Sequence, residues 1–515
     1  MMIQSSISYS NPILPGFYPD PSITRAGDDF YLVCSSFEYF PGVPIFHSRD
    51  LIHWTQIGHV LDRMSQLDIR GCKSSGGIFA PTIRYYDGMF YMITTDVGGR
   101  GNFYVTAADP AGPWSDPISI PYGGIDPSLM FDDDGRVYVT TQQGADYDSH
   151  AIQYEIDVAT GEALTEPVVI WTGDGGPWTE GPHLYKINGI YYIMTASGGT
   201  AKEHREIIGR SSSPYGPFER LPHPILTHKD TESPIQYLGH ADLIEDNNGD
   251  WWAVFLGVRL VDSKYTVLGR ETFLAPVSWS EDGWPMIDNN EDTVGLEMKV
   301  PRVPGSSPKP ADSGRYEFDD DTLPFSLTFL RNPAEGSWSL GERPGWLSLR
   351  GQPASLNDIG QVAFIGRRQQ HVKEEWSTLL ELTSTQASEE AGLCVRLDEK
   401  AHYAIGLGQH EGQRVIAAYL TVKGKTEIAA SIPTTAEKVY LKIQADIAKY
   451  SLLYSLDGQE WHELAVGAAY PLSPQAMEGN GFTGVVIGMY ATGHGEIARE
   501  QAYFDWFDYR IGGSS

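Results

Sequence analysis

One short pattern recurs five times in the first half of this chain, and it limits the fold more than any other feature. A small or polar residue opens each copy. An apolar strand, a tight turn and a strand rich in aromatics follow. The copies read Asp20-Pro-Ser-Ile then Asp28-Asp-Phe-Tyr-Leu, Ala80-Pro-Thr-Ile then Asp87-Gly-Met-Phe-Tyr, and Asp126-Pro-Ser-Leu then Asp134-Gly-Arg-Val-Tyr. The last two are Glu180-Gly-Pro-His-Leu then Asn188-Gly-Ile-Tyr-Tyr, and His240-Ala-Asp-Leu-Ile then Asn248-Gly-Asp-Trp-Trp. Four of the five turns are Asp-Gly or Asn-Gly, the pair suited to a type I′ hairpin with positive φ at both central residues. The distance from one opening residue to the next leaves room for one four-stranded blade per copy. This predicts a five-bladed β-propeller over residues 1–300. A sandwich with accidental Asn-Gly turns would not keep the shared offset between opening residue and aromatic strand.

The pattern ends near Pro301-Arg-Val-Pro-Gly-Ser-Ser-Pro-Lys-Pro310, whose composition is that of a linker, placed at 301–313. Beyond it, Val439, Leu441 and Ile443 alternate with Lys438, Lys442 and Gln444, and Tyr450, Leu452 and Tyr454 form a second alternating face. The run Gly406-Leu-Gly-Gln-His-Glu-Gly412 has the wrong glycine spacing for a dinucleotide site and reads as a hairpin. A second, jelly-roll-like β-sandwich domain over 314–515 is predicted. Two domains also suit 515 residues, since one core seldom grows past about 250–300. The fold class is therefore all-β.

Charge narrows the partners. The net charge of −30 repels phosphate backbones and anionic lipids, so nucleic acid and membrane surfaces are not expected. A neutral substrate is compatible with it, and self-association stays open. Cys34, Cys72 and Cys394 are too few and too scattered for a disulfide framework or a zinc cluster. The opening MMIQSSISYS lacks the basic and apolar regions of a signal peptide, which reads as a cytoplasmic chain.

A propeller brings its innermost strands around one axis, so the repeat starts Asp20, Ala80, Asp126, Glu180 and His240 are expected to converge. Three acids gathered there would repel and lose solvation, which a purely structural centre avoids. Glycosidic cleavage needs such a set. One carboxyl protonates the leaving oxygen, another activates water or attacks the sugar, and a third raises the pKa of the proton donor. The residues alone do not say which acid does which.

With these motifs in view, the chain resembles glycoside hydrolase family 43, in the group of β-xylosidases and α-L-arabinofuranosidases that carry a C-terminal β-sandwich. The resemblance rests on Asn11-Pro-Ile-Leu-Pro-Gly-Phe-Tyr-Pro-Asp-Pro-Ser22, Phe40-Pro-Gly-Val-Pro-Ile-Phe-His-Ser48, Asp126-Pro-Ser128, Glu180-Gly-Pro-His183, Gly239-His-Ala-Asp242 and Gly269-Arg-Glu-Thr-Phe-Leu-Ala-Pro276. In the second domain it rests on Gly336-Ser-Trp-Ser-Leu340, Arg343-Pro-Gly-Trp-Leu347 and Ala502-Tyr-Phe-Asp505. It implies inversion at the anomeric carbon, with Asp20 as general base, Glu180 as general acid and Asp126 tuning the acid. It also implies that Arg270 reaches the base and the terminal sugar. His240 would lie near a central calcium, held through water, or near a water-filled site. Phe37 and Phe79 would form pocket walls, Phe79 standing where many relatives have Trp. His183 and Thr195 are weaker pocket candidates.

No cofactor is required on this reading, though calcium at the axis or at the sandwich's Phe318-Asp-Asp-Asp-Thr322 turn is compatible with it. The sandwich would either bind carbohydrate or pack against the propeller and block one side of the cleft, as the resemblance favours. The expected activity is exo-acting release of D-xylose from β-1,4-xylooligosaccharides. The alternative is release of arabinose from arabinoxylan fragments, alone or alongside xylose. An endo-arabinanase or a non-catalytic glycan-binding propeller fits the sequence less well.

Overall fold

The structure is a computed structural model and describes residues 6–309, 313–477 and 481–512. Positions 1–5, 310–312, 478–480 and 513–515, which the predicted domain and linker bounds include, lie outside the described residues. The chain is all-β, with a five-bladed propeller followed by a two-sheet sandwich.

Each repeat builds one blade of four strands, and in the second blade the short strand Gly77–Ile78 adds a fifth. The innermost strands are Ser22–Ala26, Thr82–Tyr86, Ile125–Phe131, Glu180–Ile187 and Ile235–Glu245. They touch in a ring, the first returning to the fifth. The ring is closed by pairing Ile7–Ser10 with Glu297–Val300, and Asn11 exchanges side-chain hydrogen bonds with the backbone of Leu274 in blade five. Apolar clusters fill the gaps between blades. Ile93 and Tyr104 of blade two, for example, pack on Leu129, Val139 and Ile152 of blade three. Each such fully buried side chain contributes roughly 1.5–3 kcal/mol through burial.

The hairpin turns divide into two kinds. Asp87-Gly88 and Asn188-Gly189 have positive φ at both residues, the I′ signature. At Asp134-Gly135 and Asn248-Gly249 only the glycine does, so the expectation fails there. Those loops are longer, and an aspartate upstream organises them. The Asp246 carboxyl accepts the N–H groups of Asn248 and Asp250 at 2.7 and 3.0 Å, and Asp132 accepts that of Asp133 at 2.7 Å. Such local side-chain bonds compete with the two-residue turn.

In the sandwich Val439, Leu441, Ile443, Tyr450 and Leu452 are fully buried between the sheets, following the alternation in the sequence. The hairpin at Glu411-Gly412 has positive φ at both residues. One sheet runs across the domain boundary. Tyr39–Phe40, from blade one, forms its last strand by pairing with Thr328–Leu330. Polar contacts lock this join. Arg331 donates its N–H to the Glu38 carbonyl at 2.8 Å and pairs with Glu399 through its side chain. Asn332 bonds to the backbone of Ile69 and Leu67 at 2.7 and 3.0 Å. The Asp319, Asp320 and Asp321 carboxyls, in the acidic turn, are exposed.

Candidate active site

The innermost strands carry three rings of side chains around the axis, and their order comes from a repeated β-bulge. In blades three, four and five one extra residue interrupts the pairing, between Ile125 and Ser128, between Glu180 and His183, and between Gly239 and Asp242. A bulge re-aims the residues within it. Counted from the first residue paired again, one ring holds Ser22, Thr82, Ser128, His183 and Asp242. Two residues earlier stand Asp20, Ala80, Asp126, Gly181 and His240. Four of these, Asp20, Asp126, Gly181 and His240, have φ between 53° and 59°.

Glu180 is therefore not level with Asp126, contrary to the sequence alignment of the repeats. It lies one residue earlier, level with Ile125 and Phe79. Gly181 takes the bulge position, and the reason is steric: a Cβ there would lie 2.9 Å from the His240 ring. The glycine N–H donates to Asp126 Oδ2 at 3.1 Å.

The upper two rings open into a pocket of about 230 Å³. Asp20, Asp126, Glu180, His240 and Arg270 line it together with Phe37 and Phe79. Arg270 donates to Asp20 Oδ1 at 2.8 Å and to Oδ2 at 3.4 Å, and Ser35 donates to Oδ2 at 2.5 Å. A carboxylate offers about four acceptor directions, so Asp20 is fixed in place with room left for a water. His240 Nδ1 lies 3.9 Å from Asp20 Oδ1. The backbone of the next residue, Ala241, donates to the buried Glu206 carboxyl at 3.1 Å.

Electrostatics separates the other two acids. Burial pushes Glu180 up to about 8, with the facing Asp126 charge adding to the shift. Burial also raises Asp126, to about 6, with His240 opposing and Asp20 reinforcing. Glu180 thus holds its proton at neutral pH, where Asp126 is the first of the two to ionise.

The walls come from both domains. Phe37 packs on Phe79 with ring centroids 5.2 Å apart, and Phe482, from the sandwich, stacks on Phe37 at 5.8 Å. The Arg270 guanidinium lies 5.7 Å from the Phe37 ring and 5.4 Å from the Phe482 ring. Phe482 is tied down by its N–H to Ser75 Oγ at 3.0 Å. Trp178 and Thr200 complete the rim. Sequence reasoning missed Phe482, Trp178 and Ser35. They stand outside the repeat, and nothing in the local pattern aims them at the axis.

Two weaker candidates point elsewhere. His183 belongs to the lower ring, with Nδ1 3.0 Å from Arg84 Nη2. Thr195, in blade four, accepts the indole N–H of Trp171 from blade three at 3.0 Å. Calcium wants six to eight oxygen ligands. Among the described residues no three His, Cys, Asp or Glu side chains are placed to share an ion.

Comparison with known proteins gives the family. Residues 9–285 match the model of glycosyl hydrolases family 43, and 315–510 match a β-xylosidase C-terminal concanavalin A-like domain. The chain is 44% identical to a non-reducing end α-L-arabinofuranosidase of Bacteroides ovatus, over 98% of this chain and 95% of that one. It is 38% identical to a xylosidase/arabinosidase of Butyrivibrio fibrisolvens, over 97% and 98%. The solved structure of a Bacteroides ovatus xyloglucan-locus family 43 protein superposes with a TM-score of 0.94 at 42% identity, covering 98% of this chain and 100% of that one. With three carboxyls at a propeller axis and the family models matching 9–285 and 315–510, this chain belongs to family 43 of the glycoside hydrolases and is a glycosidase of the xylosidase/arabinofuranosidase group.

Proposed function

We propose that the chain is an exo-acting, inverting glycosidase that releases one terminal pentose at a time from the non-reducing end of short plant-polysaccharide fragments. The observation that carries this reading is the closure of the pocket by Phe482, a residue of the sandwich. A cleft open at both sides would accept a chain interior. A pocket walled on the sandwich side by Phe37, Phe79 and Phe482 suits a chain end.

The roles follow from the surroundings of each acid. Asp20, gripped by Arg270 and Ser35, takes the proton from the attacking water. Glu180, protonated at neutral pH, delivers a proton to the leaving oxygen. Asp126 keeps Glu180 protonated by like-charge repulsion and is itself held by the Gly181 N–H. Arg270 orients both the base and the sugar hydroxyls beside it. General acid and general base assistance each account for about 10²–10⁴ in rate.

Xylose from β-1,4-xylooligosaccharides is the first substrate reading. Arabinose is the second, favoured by the 44% identity to an α-L-arabinofuranosidase. Aryl β-D-xylopyranoside and aryl α-L-arabinofuranoside assayed side by side rank the two, and NMR of the first-formed anomer reads the stereochemistry. Xylotriose should give xylose and xylobiose before anything else. Turnover of neither aryl pentoside, or a product that retains configuration, would sink the proposal.

A further inference from the structure

A second pocket opens on the sandwich, lined by residues other than those around the three acids. It opens on the sheet that contains Glu390–Asp398, Ala401–His410, Gln413–Val422 and Val486–Thr492. Ala404 and Tyr490, which line this pocket, share one cluster with Phe37, and the strand that carries Tyr490 runs from Val486, also in that cluster, to Thr492 at the pocket. The ends of that strand are six residues or about 20 Å apart. The cavity measures about 250 Å³, close to the 230 Å³ of the catalytic pocket.

Small residues hollow the sheet here. Ala404 lines the pocket, and Gly406 and Gly408 follow at alternate positions on the same face. A Cβ on Gly406 would come 3.1 Å from the Tyr490 hydroxyl, and one on Gly408 would come 3.3 Å from the Glu390 side chain. Tyr419, half-buried, and Tyr490 stand as aromatic walls. The Tyr490 hydroxyl donates to Glu390 Oε1 at 2.6 Å.

Among the polar groups at this pocket, which include donors such as Ser355, Asn357 and Thr426, two are buried acceptors. Glu389 is 4% exposed. Its Oε1 takes the Arg499 N–H at 2.7 Å, and its Oε2 is buried with no partner. His402, 3% exposed, has Nδ1 3.1 Å from the Asp398 carbonyl, so that nitrogen carries the proton. Burial pushes this histidine down to about 4, which keeps the ring neutral and leaves Nε2 as an acceptor. A buried acceptor without a donor is costly, so an occupant here should bring hydroxyl donors. No Lys or Arg lines the pocket, which disfavours an anion. No three carboxylate or imidazole groups among the described residues are placed to hold a cation.

We propose that this pocket is a second, non-catalytic site for a neutral pentose unit of an oligosaccharide, with Tyr419 as stacking face and Glu389 and His402 as hydroxyl acceptors. The choice of a pentose rests on the function proposed above. The sandwich thereby holds a chain near the enzyme while the propeller trims its end.

The test uses the full chain carrying Glu180→Gln, titrated by calorimetry and NMR with xylobiose and with arabinobiose. Binding that is weakened at least about ten-fold by adding Tyr419→Ala is expected, since one lost aromatic contact is worth that much. Tyr419→Phe should retain it. Tyr419→Phe alone should hydrolyse aryl pentosides at the unaltered rate, and Tyr419→Ala should retain turnover, which reports that the variant folds. If Tyr419→Ala fails to fold, Glu389→Gln provides the same readout. A single binding event in the Glu180→Gln chain, or a second one that survives both Tyr419→Ala and Glu389→Gln unchanged, overturns the second site. Loss of all aryl pentoside turnover in the unaltered chain would instead overturn the proposed function, and the titration would still decide the second site.

Discussion

Two layers of the same propeller axis, one residue pair apart on the same strands, treat a buried carboxylate in opposite ways. In the lower layer Asp242 is completely buried yet surrounded by donors. Ser22 and the Ile23 N–H bond to Oδ2 at 2.7 and 3.1 Å, and Tyr185 bonds to Oδ1 at 2.7 Å. Arg84 spans both oxygens at 2.8 and 3.2 Å. Desolvation raises the Asp242 pKa, but Arg84 and the remaining donors outweigh it and hold the group well below the usual carboxylate range. In the upper layer Asp126 has one backbone donor, and Glu180 faces another acid. Desolvation prevails there, and both groups move up. Burial alone therefore does not decide whether an acid at this axis holds a proton. The supply of donors does. The lower layer uses a charge to tie blades one, two, four and five together. The upper layer satisfies Asp20 through Arg270 and Ser35 but leaves Asp126 and Glu180 short of donors, which is the condition a proton donor needs.

This contrast can be broken in three places. Glu180→Gln removes the donor and should cost roughly 10³–10⁴ in kcat on xylobiose. The loss should be much smaller on an aryl glycoside whose leaving group needs no proton. Equal losses on both would remove Glu180 from the acid role. Asp242→Ala strikes the other layer. Leaving Arg84 buried without its partner should cost about 3 kcal/mol of stability, read as a lower denaturant midpoint, while residual folded enzyme keeps its pH profile. A normal midpoint would mean the lower layer does not hold the blades. The smallest effect concerns pH. Glu180 must be protonated to act, so kcat/KM should fall as pH rises through about 8. Asp126→Asn removes the neighbouring charge, lowers the Glu180 pKa and should move this alkaline limb down by about one pH unit. An unmoved limb would show that desolvation alone sets the acid.

Much of this arrangement was legible in the sequence because the repeat is local. Each copy carries its own strand, turn and opening residue, and convergence at an axis follows from that. The ring assignment went wrong at Glu180 because Glu-Gly-Pro and Asp-Pro look alike by eye. Only the pairing of His183 with Met194 shows that Gly181 holds the bulge. The walls were partly legible. Phe37 and Phe79 stand beside the repeats, whereas Phe482 lies far along the chain, in the other domain, in a loop without periodicity. The strand Tyr39–Phe40 is too short for alternation to register, and its partner, Thr328–Leu330, lies beyond the linker.

That short strand bears on how the molecule can be cut and recombined. Because a piece of blade one completes a sheet of the sandwich, the boundary read from composition is not a boundary of hydrogen bonding. A fragment ending near residue 300 would present Tyr39–Phe40 as a bare edge, the kind of surface that recruits other chains. The sandwich expressed alone would expose the opposite edge at Thr328–Leu330. Exchanging the second domain between relatives would therefore carry over a wall of the catalytic pocket along with the sheet, so selection on substrate choice acts on the two domains as a single inherited block.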